Sequence, residues 1–359
     1  MWFSSLLEKR QRLVASGRSH AYTRKRSTFR PRLEALEDRW LPSTLTVMNN
    51  QDSGVGSLRA DIAAAHSGDT IVFAPSLDGK TITLTSGELV VSKSLTIQGP
   101  GAGQLAISGG NVWGVFEIIG LHTNVTLSGL TITQGRAGSG GGIFNNATLT
   151  VSGSTFQGNQ SIVFGGGIWN VGTLTVSDST FFANHCPFGG SIYNRGTATL
   201  TNCTLGFNSS GGGALYVGGG STATLTNCTL SGNSGGGIFV SLGGILNLTN
   251  TIVAGNTAGP DIFGAVATAD HNLVGDATGS TGIVNGVNGN IVGGNGNPVI
   301  DAHLGPLQNN GGPTQTMALL AGSPAIGHAD NAQAPAKDQR GFTRLDEKGE
   351  MTDIGAFEL

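Results

Sequence analysis

One spacing governs what this chain can fold into. Glycine-led tripeptides start at Gly140, Gly165, Gly189, Gly211 and Gly235, and an asparagine closes each unit at Asn159, Asn184, Asn208, Asn233 and Asn256. An earlier unit, 124–135, follows the same pattern with Gly135 in the closing place. A repeat of about two dozen residues marks an array whose units cannot bury a face alone and must stack.

Three apolar positions hold register against the closing asparagine. Ten residues before it come Leu149, Leu174, Ala198, Ala223 and Leu246; eight before, Val151, Val176, Leu200, Leu225 and Leu248; three before, Phe156, Phe181, Leu205, Leu230 and Val253. Between the first two lies a polar residue, Thr150, Thr175, Thr199, Thr224 or Asn247. That alternation is the period of a strand with one buried face. Stacked like on like, at about 4.8 Å per strand, the units give one continuous core. Glycine and asparagine suit the corners, because both reach positive φ more easily than other residues. The pattern predicts an all-β, right-handed parallel β-helix, with about nine coils over 80–300 and a rod of roughly 45 Å. A leucine-rich repeat shares the period, but its L-x-x-L-x-L spacing is absent.

Charge divides the chain in two. Residues 1–42 carry a net +6 and residues 43–359 a net −9. An acidic body argues against nucleic acid as partner, since phosphate binding needs a basic surface. No apolar run is long enough to cross a bilayer, and the N-terminus lacks the apolar stretch of an ordinary secretory signal. The expected divisions are 1–42, a basic leader or sorting segment; 43–120, the opening coils; 121–260, the regular repeats; 261–336, the last coils and loops; and 337–359, a polar cap. Solenoids need such caps to cover an open core.

Three stretches carry a family resemblance. NNQDSGVGSLRADIAAAHSGDTIVF (49–73), with KSLTIQGPGAGQLAISG (93–109), resembles the start of bacterial surface β-helix proteins. The glycine-plus-aromatic-plus-Asn units are similar to those of polymorphic outer-membrane proteins. LGPLQNNGGPTQTMALLAGSPAIG (304–327), with DQRGFTR (338–344) and DIGAFE (353–358), resembles the end of choice-of-anchor Q β-helix proteins, departing from it at Gly327-His328-Ala329. The segment RPRLEALEDRWLPS (30–43) resembles a planctomycete sorting segment, and Leu33, Leu36 and Trp40 fall at helical spacing. These resemblances imply an exported or cell-surface protein and no established reaction.

Other parallel β-helices include polysaccharide-cleaving enzymes, which need clustered carboxylates to hold Ca²⁺ or to act as acid and base. Between Ile118 and Pro260 the only ionised side chains are Arg136, Asp178 and Arg195. Acidic residues return at Asp261, Asp270, Asp276, Asp301 and Asp330, and again in the tail. Asp270-His271-Asn272 is a possible metal corner without regular ligand spacing, so solvated turns are the ordinary reading. Asp338–Arg340 and Arg344–Asp353 are expected to cap the last coil. His185-Cys186 reads as a structural loop pair, and Cys203 and Cys228 as stacked, buried thiols. The N-x-T triplets reflect turn asparagines before threonine-rich strands, not glycosylation. No cofactor is implied.

After each glycine triplet comes a ring: Phe144, Trp169, Tyr193, Tyr216 and Phe239. Pointing outward, these would form a ladder suited to stacking on sugars or another protein. Large apolar residues usually lie inside, so the core is their expected place. The leading expectation is a noncatalytic, adhesin-like scaffold that binds polysaccharide or a surface protein. The alternatives are a carbohydrate-active enzyme with its site in the last third, and a self-associating envelope component.

Overall fold

The computed structural model describes residues 41–344 and 351–359 of the chain. The leader, with its expected helix at Leu33, Leu36 and Trp40, lies outside the described residues, as do Asp346, Glu347 and Glu350. The described chain is a three-sided parallel β-helix. Two of its sides merge into one large sheet, and the third is a separate ten-stranded sheet.

Like sits over like, as the repeat requires. On one side Val125, Leu149, Leu174, Ala198, Ala223 and Leu246 are register partners, and so are Leu127, Val151, Val176, Leu200, Leu225 and Leu248. On the separate sheet Ile132, Phe156, Phe181, Leu205, Leu230, Val253, Val274 and Val292 form one column. Every member of these columns is buried, and they merge into a single core. The rings of Phe156 and Phe181 stack 4.5 Å apart. Each aliphatic side chain hidden here contributes about 1.5–3 kcal/mol relative to exposure.

The corners use asparagine in two ways. Positive φ occurs six residues before the closing asparagine, at Gly153, Asp178, Asn202, Asn227 and Asn250. It recurs one residue before it, at Gly158, Ala183, Phe207, Gly232 and Gly255. The closing asparagines themselves are not left-handed; they turn inward and form a hydrogen-bonded ladder. Asn159, Asn184, Asn208 and Asn233 each donate from Nδ2 to Oδ1 of the next, the last to Asn256, at 2.8–3.0 Å. Asp261 ends the ladder, accepting from Asn256 Nδ2 at 2.7 Å. A second ladder, Asn145–Asn170–Asn194, runs along another corner. These amides satisfy backbone groups that a dry corner would otherwise strand.

At the N-terminal end a short helix, Leu58–Ala64, is capped by Ser57, whose hydroxyl accepts from Ala60 N–H. Its Leu58 and Ile62 join the core. At the other end of the chain the expected cap over the last coil is instead a strap along the flank. Residues 304–344 and 351–359 lie across the outer face of the ten-stranded sheet, bonding to coils at Thr180, Thr204, Thr229 and Asn250. The reason is apolar. From Ile252 onward the outward residues of that sheet are Ile252 and Leu273 rather than threonine, and both are buried with Leu319, Ala325, Ala329, Ile354 and Phe357 in a second core. Among the described residues no helix is long and apolar enough to cross a membrane.

Candidate functional site

The three outer faces differ chemically. The first carries the rings. In Ile168–Asn170, Leu215–Val217 and Ile238–Val240 the two flanking residues are buried and the middle ring projects outward. In Ile192–Asn194 Tyr193 has the same parity but is itself buried, with Phe164 stacked on it. The expected core placement is thus corrected: Ile168 and Asn170 both face inward, so strand alternation forces Trp169 out. Phe144, Tyr193, Tyr216, Phe239 and also Phe263 follow the same parity.

These rings pack on one another. Phe144 and Trp169 are 4.7 Å apart between centroids, Tyr193 and Tyr216 4.6 Å, Tyr216 and Phe239 5.0 Å, Phe239 and Phe263 5.0 Å. Phe164, the last residue of the strand Gln160–Phe164, stacks on Tyr193 at 4.3 Å, and Phe188 meets Tyr216 edge-on. Within the ladder the facing planes are therefore occupied by other rings, and a sugar cannot slide between planes already in van der Waals contact. What remains for solvent is ring edge and the outer sides of the two end rings, Phe144 and Phe263.

The second face is covered by the strap from Thr180 onward, while Lys80 and Thr81 in its first strand stay exposed. Gln339 spans two coils, donating to Thr180 Oγ1 at 2.9 Å and accepting from Thr204 Oγ1 at 2.6 Å. Arg344 is buried, pairs with Glu358 at 2.9 Å, and donates to Asn202 Oδ1 at 3.1 Å. Arg340 pairs with Asp338 at 2.7 Å and lies 3.6 Å over the Phe357 ring. Burial, with the like charge of Asp353, pushes the Glu358 carboxyl up to about 7, against the pull of Arg344. Asp353 accepts from Gly327 N–H and Leu359 N–H. These tail carboxylates brace the strap internally, each already bonded by strap backbone or arginine.

The third face is open. Its central outward column runs Thr44, Thr70, Thr96, Thr126, Thr150, Thr175, Thr199, Thr224, Asn247, Thr268. Beside it stand Thr148, Thr173, Thr197 and Thr222 on one flank, and Ser152, Ser177, Thr201, Thr226 and Thr249 on the other. All are exposed or half-buried, and from Thr126 to Thr249 none of these rows carries a charge. Hydroxyls and methyls thus repeat about every 4.8 Å along the axis and about 6.6 Å across it. Sequence reasoning noted these threonines only as the wet half of an alternation. Their register partners, two dozen residues apart, were the signal that they form a plane.

The remaining candidates separate. Cys186 is buried and donates to Phe188 O at 2.6 Å, while His185 is exposed, so the pair does not converge. Burial raises the Cys186 thiol above its ordinary value, the reverse of what a nucleophile needs. Cys203 and Cys228 are buried free thiols at equivalent places in neighbouring coils. Burial, with Cys228 beside it, raises Cys203 well above its ordinary range. Asn202 and Asn227 of the N-x-T triplets are buried corner residues. In the Asp270-His271-Asn272 corner, Asn272 turns inward and bonds Asn290. The third group beside Asp270 and His271 is Asp330, from the strap.

A family model described as a right handed beta helix region matches residues 167–301. Among solved structures the chain is similar to pectate lyase Pel9A, at 15% identity and a TM-score of 0.49, with 88% of this chain and 96% of that chain covered. No curated protein matches the sequence.

Proposed function

We propose that this chain is an exported, surface-associated β-helix scaffold that binds a neutral polysaccharide through its threonine face. One observation carries the reading. Of the three faces, one is closed by the chain's own strap from Thr180 onward and one presents mainly ring edges, whereas the third, from Thr126 to Thr249, is a bare array of hydroxyls and methyls without ionised groups. A charged polymer gains nothing from such a surface. A neutral, hydroxyl-rich polymer finds repeated donors and acceptors, with methyls to cover its apolar ring surfaces. The resemblance to surface β-helix proteins and to a sorting segment supports export.

In this reading the ring ladder braces the helix from outside and contributes little to the ligand. Noncatalytic binding accords with the tail carboxylates, which are spent on the strap, and with Asp178. Asp178 Oδ1 accepts from Asn202 Nδ2, and the acid that acts on it, Asp338 of the strap, is already paired with Arg340.

Co-sedimentation of the full chain with insoluble neutral polysaccharides, set against acidic polymers, tests the proposal. Reducing and unsaturated ends are assayed in the same tubes. Retention on a neutral polymer with no released ends is expected. Release of ends in proportion to protein would establish the carbohydrate-active enzyme instead, and failure to bind across the panel would end the scaffold reading.

A further inference from the structure

Where the last coils meet the strap, two distant parts of the chain bring ligand atoms together. Asp270 closes the strand Thr268–Asp270, and His271 follows in the left-handed region at φ 49. The imidazole rests on Gly289, where a Cβ would come within 2.4 Å of the ring, so only glycine leaves it room. His271 N–H is tied to Asn288 O at 2.8 Å. Asp330 arrives from the strap and is pinned by its own backbone: its N–H donates to Asn250 Oδ1 at 2.7 Å, and its carbonyl accepts from Asn250 Nδ2 at 3.0 Å. One ligand atom from each of Asp270, His271 and Asp330 lies within 4.8 Å of the others.

The supporting contacts fix both carboxylates, and Asp330 Oδ1 accepts from Ala332 N–H at 2.9 Å. Gln333 Nε2 donates to Asp270 Oδ2 at 2.6 Å and to Asp330 Oδ2 at 2.9 Å, bridging two like charges with a neutral amide. Among the described residues no lysine or arginine pairs with either carboxylate. His271 Nδ1 lies 2.7 Å from Asp270 Oδ1. The charge here is thus negative and uncompensated, and a nitrogen donor stands in its midst.

We infer that Asp270, His271 and Asp330 form a divalent-cation site that clamps the strap to the last coils. The donor set selects the ion. Two carboxylates and an imidazole suit Zn²⁺ or a similar first-row ion, whereas Ca²⁺ takes six to eight oxygens. Ligand bonds of about 2.0–2.2 Å in a tetrahedral site set donors about 3.3–3.6 Å apart, so on binding the widest pair closes by up to about 1.5 Å and the close His271–Asp270 pair opens. On binding, the imidazole proton resides on Nε2 and the Nδ1 lone pair faces the ion. Asp270 also ends one outward row of the threonine face, but the clamp does not depend on the polysaccharide reading.

The full chain, freed of metal by chelation and dialysis, is titrated calorimetrically with ZnCl₂ and separately with CaCl₂. One Zn²⁺ site tighter than any Ca²⁺ site is expected, with a rise in melting temperature. Asp330→Asn and His271→Ala should each weaken Zn²⁺ by at least about tenfold, the loss seen when even a supporting partner of a ligand is removed. Asp301→Asn, at an exposed Asp–His pair with no third ligand, should leave it unchanged. Circular dichroism of the metal-free variants checks that they fold. Should a variant misfold, visible absorption of the Co²⁺-loaded wild type reports whether an imidazole nitrogen coordinates. Absence of Zn²⁺ binding, or wild-type affinity in Asp330→Asn, would overturn the site.

Discussion

Replacing Asn208 by alanine removes one rung of the longer asparagine ladder, and its cost can be worked from the bonds it makes. Asn208 Oδ1 accepts from Asn184 N–H and from Asn184 Nδ2, both at 3.0 Å. Its Nδ2 donates to Phe181 O, Gly206 O and Asn233 Oδ1 at 2.9–3.1 Å. Two partners keep an alternative: Asn184 Nδ2 still reaches Phe156 O, and Asn233 Oδ1 still accepts from Asn208 N–H. The Asn184 N–H does not, and stranding one buried donor costs about 1–3 kcal/mol. The other lost bonds add about 0.5–1.5 kcal/mol each where nothing replaces them. A destabilisation of about 3–5 kcal/mol follows, a large share of the 5–15 kcal/mol typical of a folded protein. Urea unfolding followed by circular dichroism measures it, with exposed Asn124→Ala as the control, expected to stay within about 0.5 kcal/mol. A lowered midpoint with an unchanged slope means the helix still unfolds as a unit; a lowered slope means it has parted at that coil. A cost below about 1 kcal/mol for Asn208→Ala would refute the ladder as a structural element.

Three further outcomes are expected. Ala183 and Gly158 hold the same left-handed corner; Ala183→Gly should be neutral or stabilise by up to about 1 kcal/mol, whereas Gly158→Val should cost about 1–2 kcal/mol in thermal melts. Tyr216→Ala, which unstacks Tyr193 and Phe239, should cost about 2–4 kcal/mol in urea unfolding while leaving polysaccharide binding intact; lost binding would restore the ladder as the ligand site. Stability should fall as pH rises from about 4 to about 7, because burial raises Asp261 to about 6 and Glu358 to about 7, so the folded chain holds protons that the unfolded chain releases. Below that window the sign reverses at Asp52: burial pushes its carboxyl up, but hydrogen bonds from Ser86 and Arg59 outweigh it and hold the group near 2, so its contribution is lost as pH falls from 3.8. Melting temperatures across this range check both limbs, and Asp261→Asn should flatten the upper one.

The helix itself was legible because its code is periodic. Leu149, Leu174 and Ala198 announce a shared column by spacing alone, and the structure stacks them. Ring orientation was legible too, had parity been applied: in I-F-N, I-W-N and I-Y-N the flanking pair is the inward one. The strap was not. Thr180 and Gln339 are 159 residues apart, and a single long-range bond leaves no repeat to read. For the same reason Asp270 and His271 looked like an isolated turn, since Asp330 stands sixty residues on and reaches them only through the strap. The closing asparagines misled differently. Their residue type suits a left-handed corner, but that conformation falls on Ala183 and Phe207 just before them, and the amide is needed inside.

Lysines placed at the middle of the bare face, Thr175→Lys with Thr199→Lys, test the functional account most directly. Both side chains project outward, so the fold should melt as the wild type does, while co-sedimentation with the neutral polymer should drop at least about tenfold once bulk and charge break the hydroxyl rows. Undiminished retention of the doubly substituted chain would contradict it.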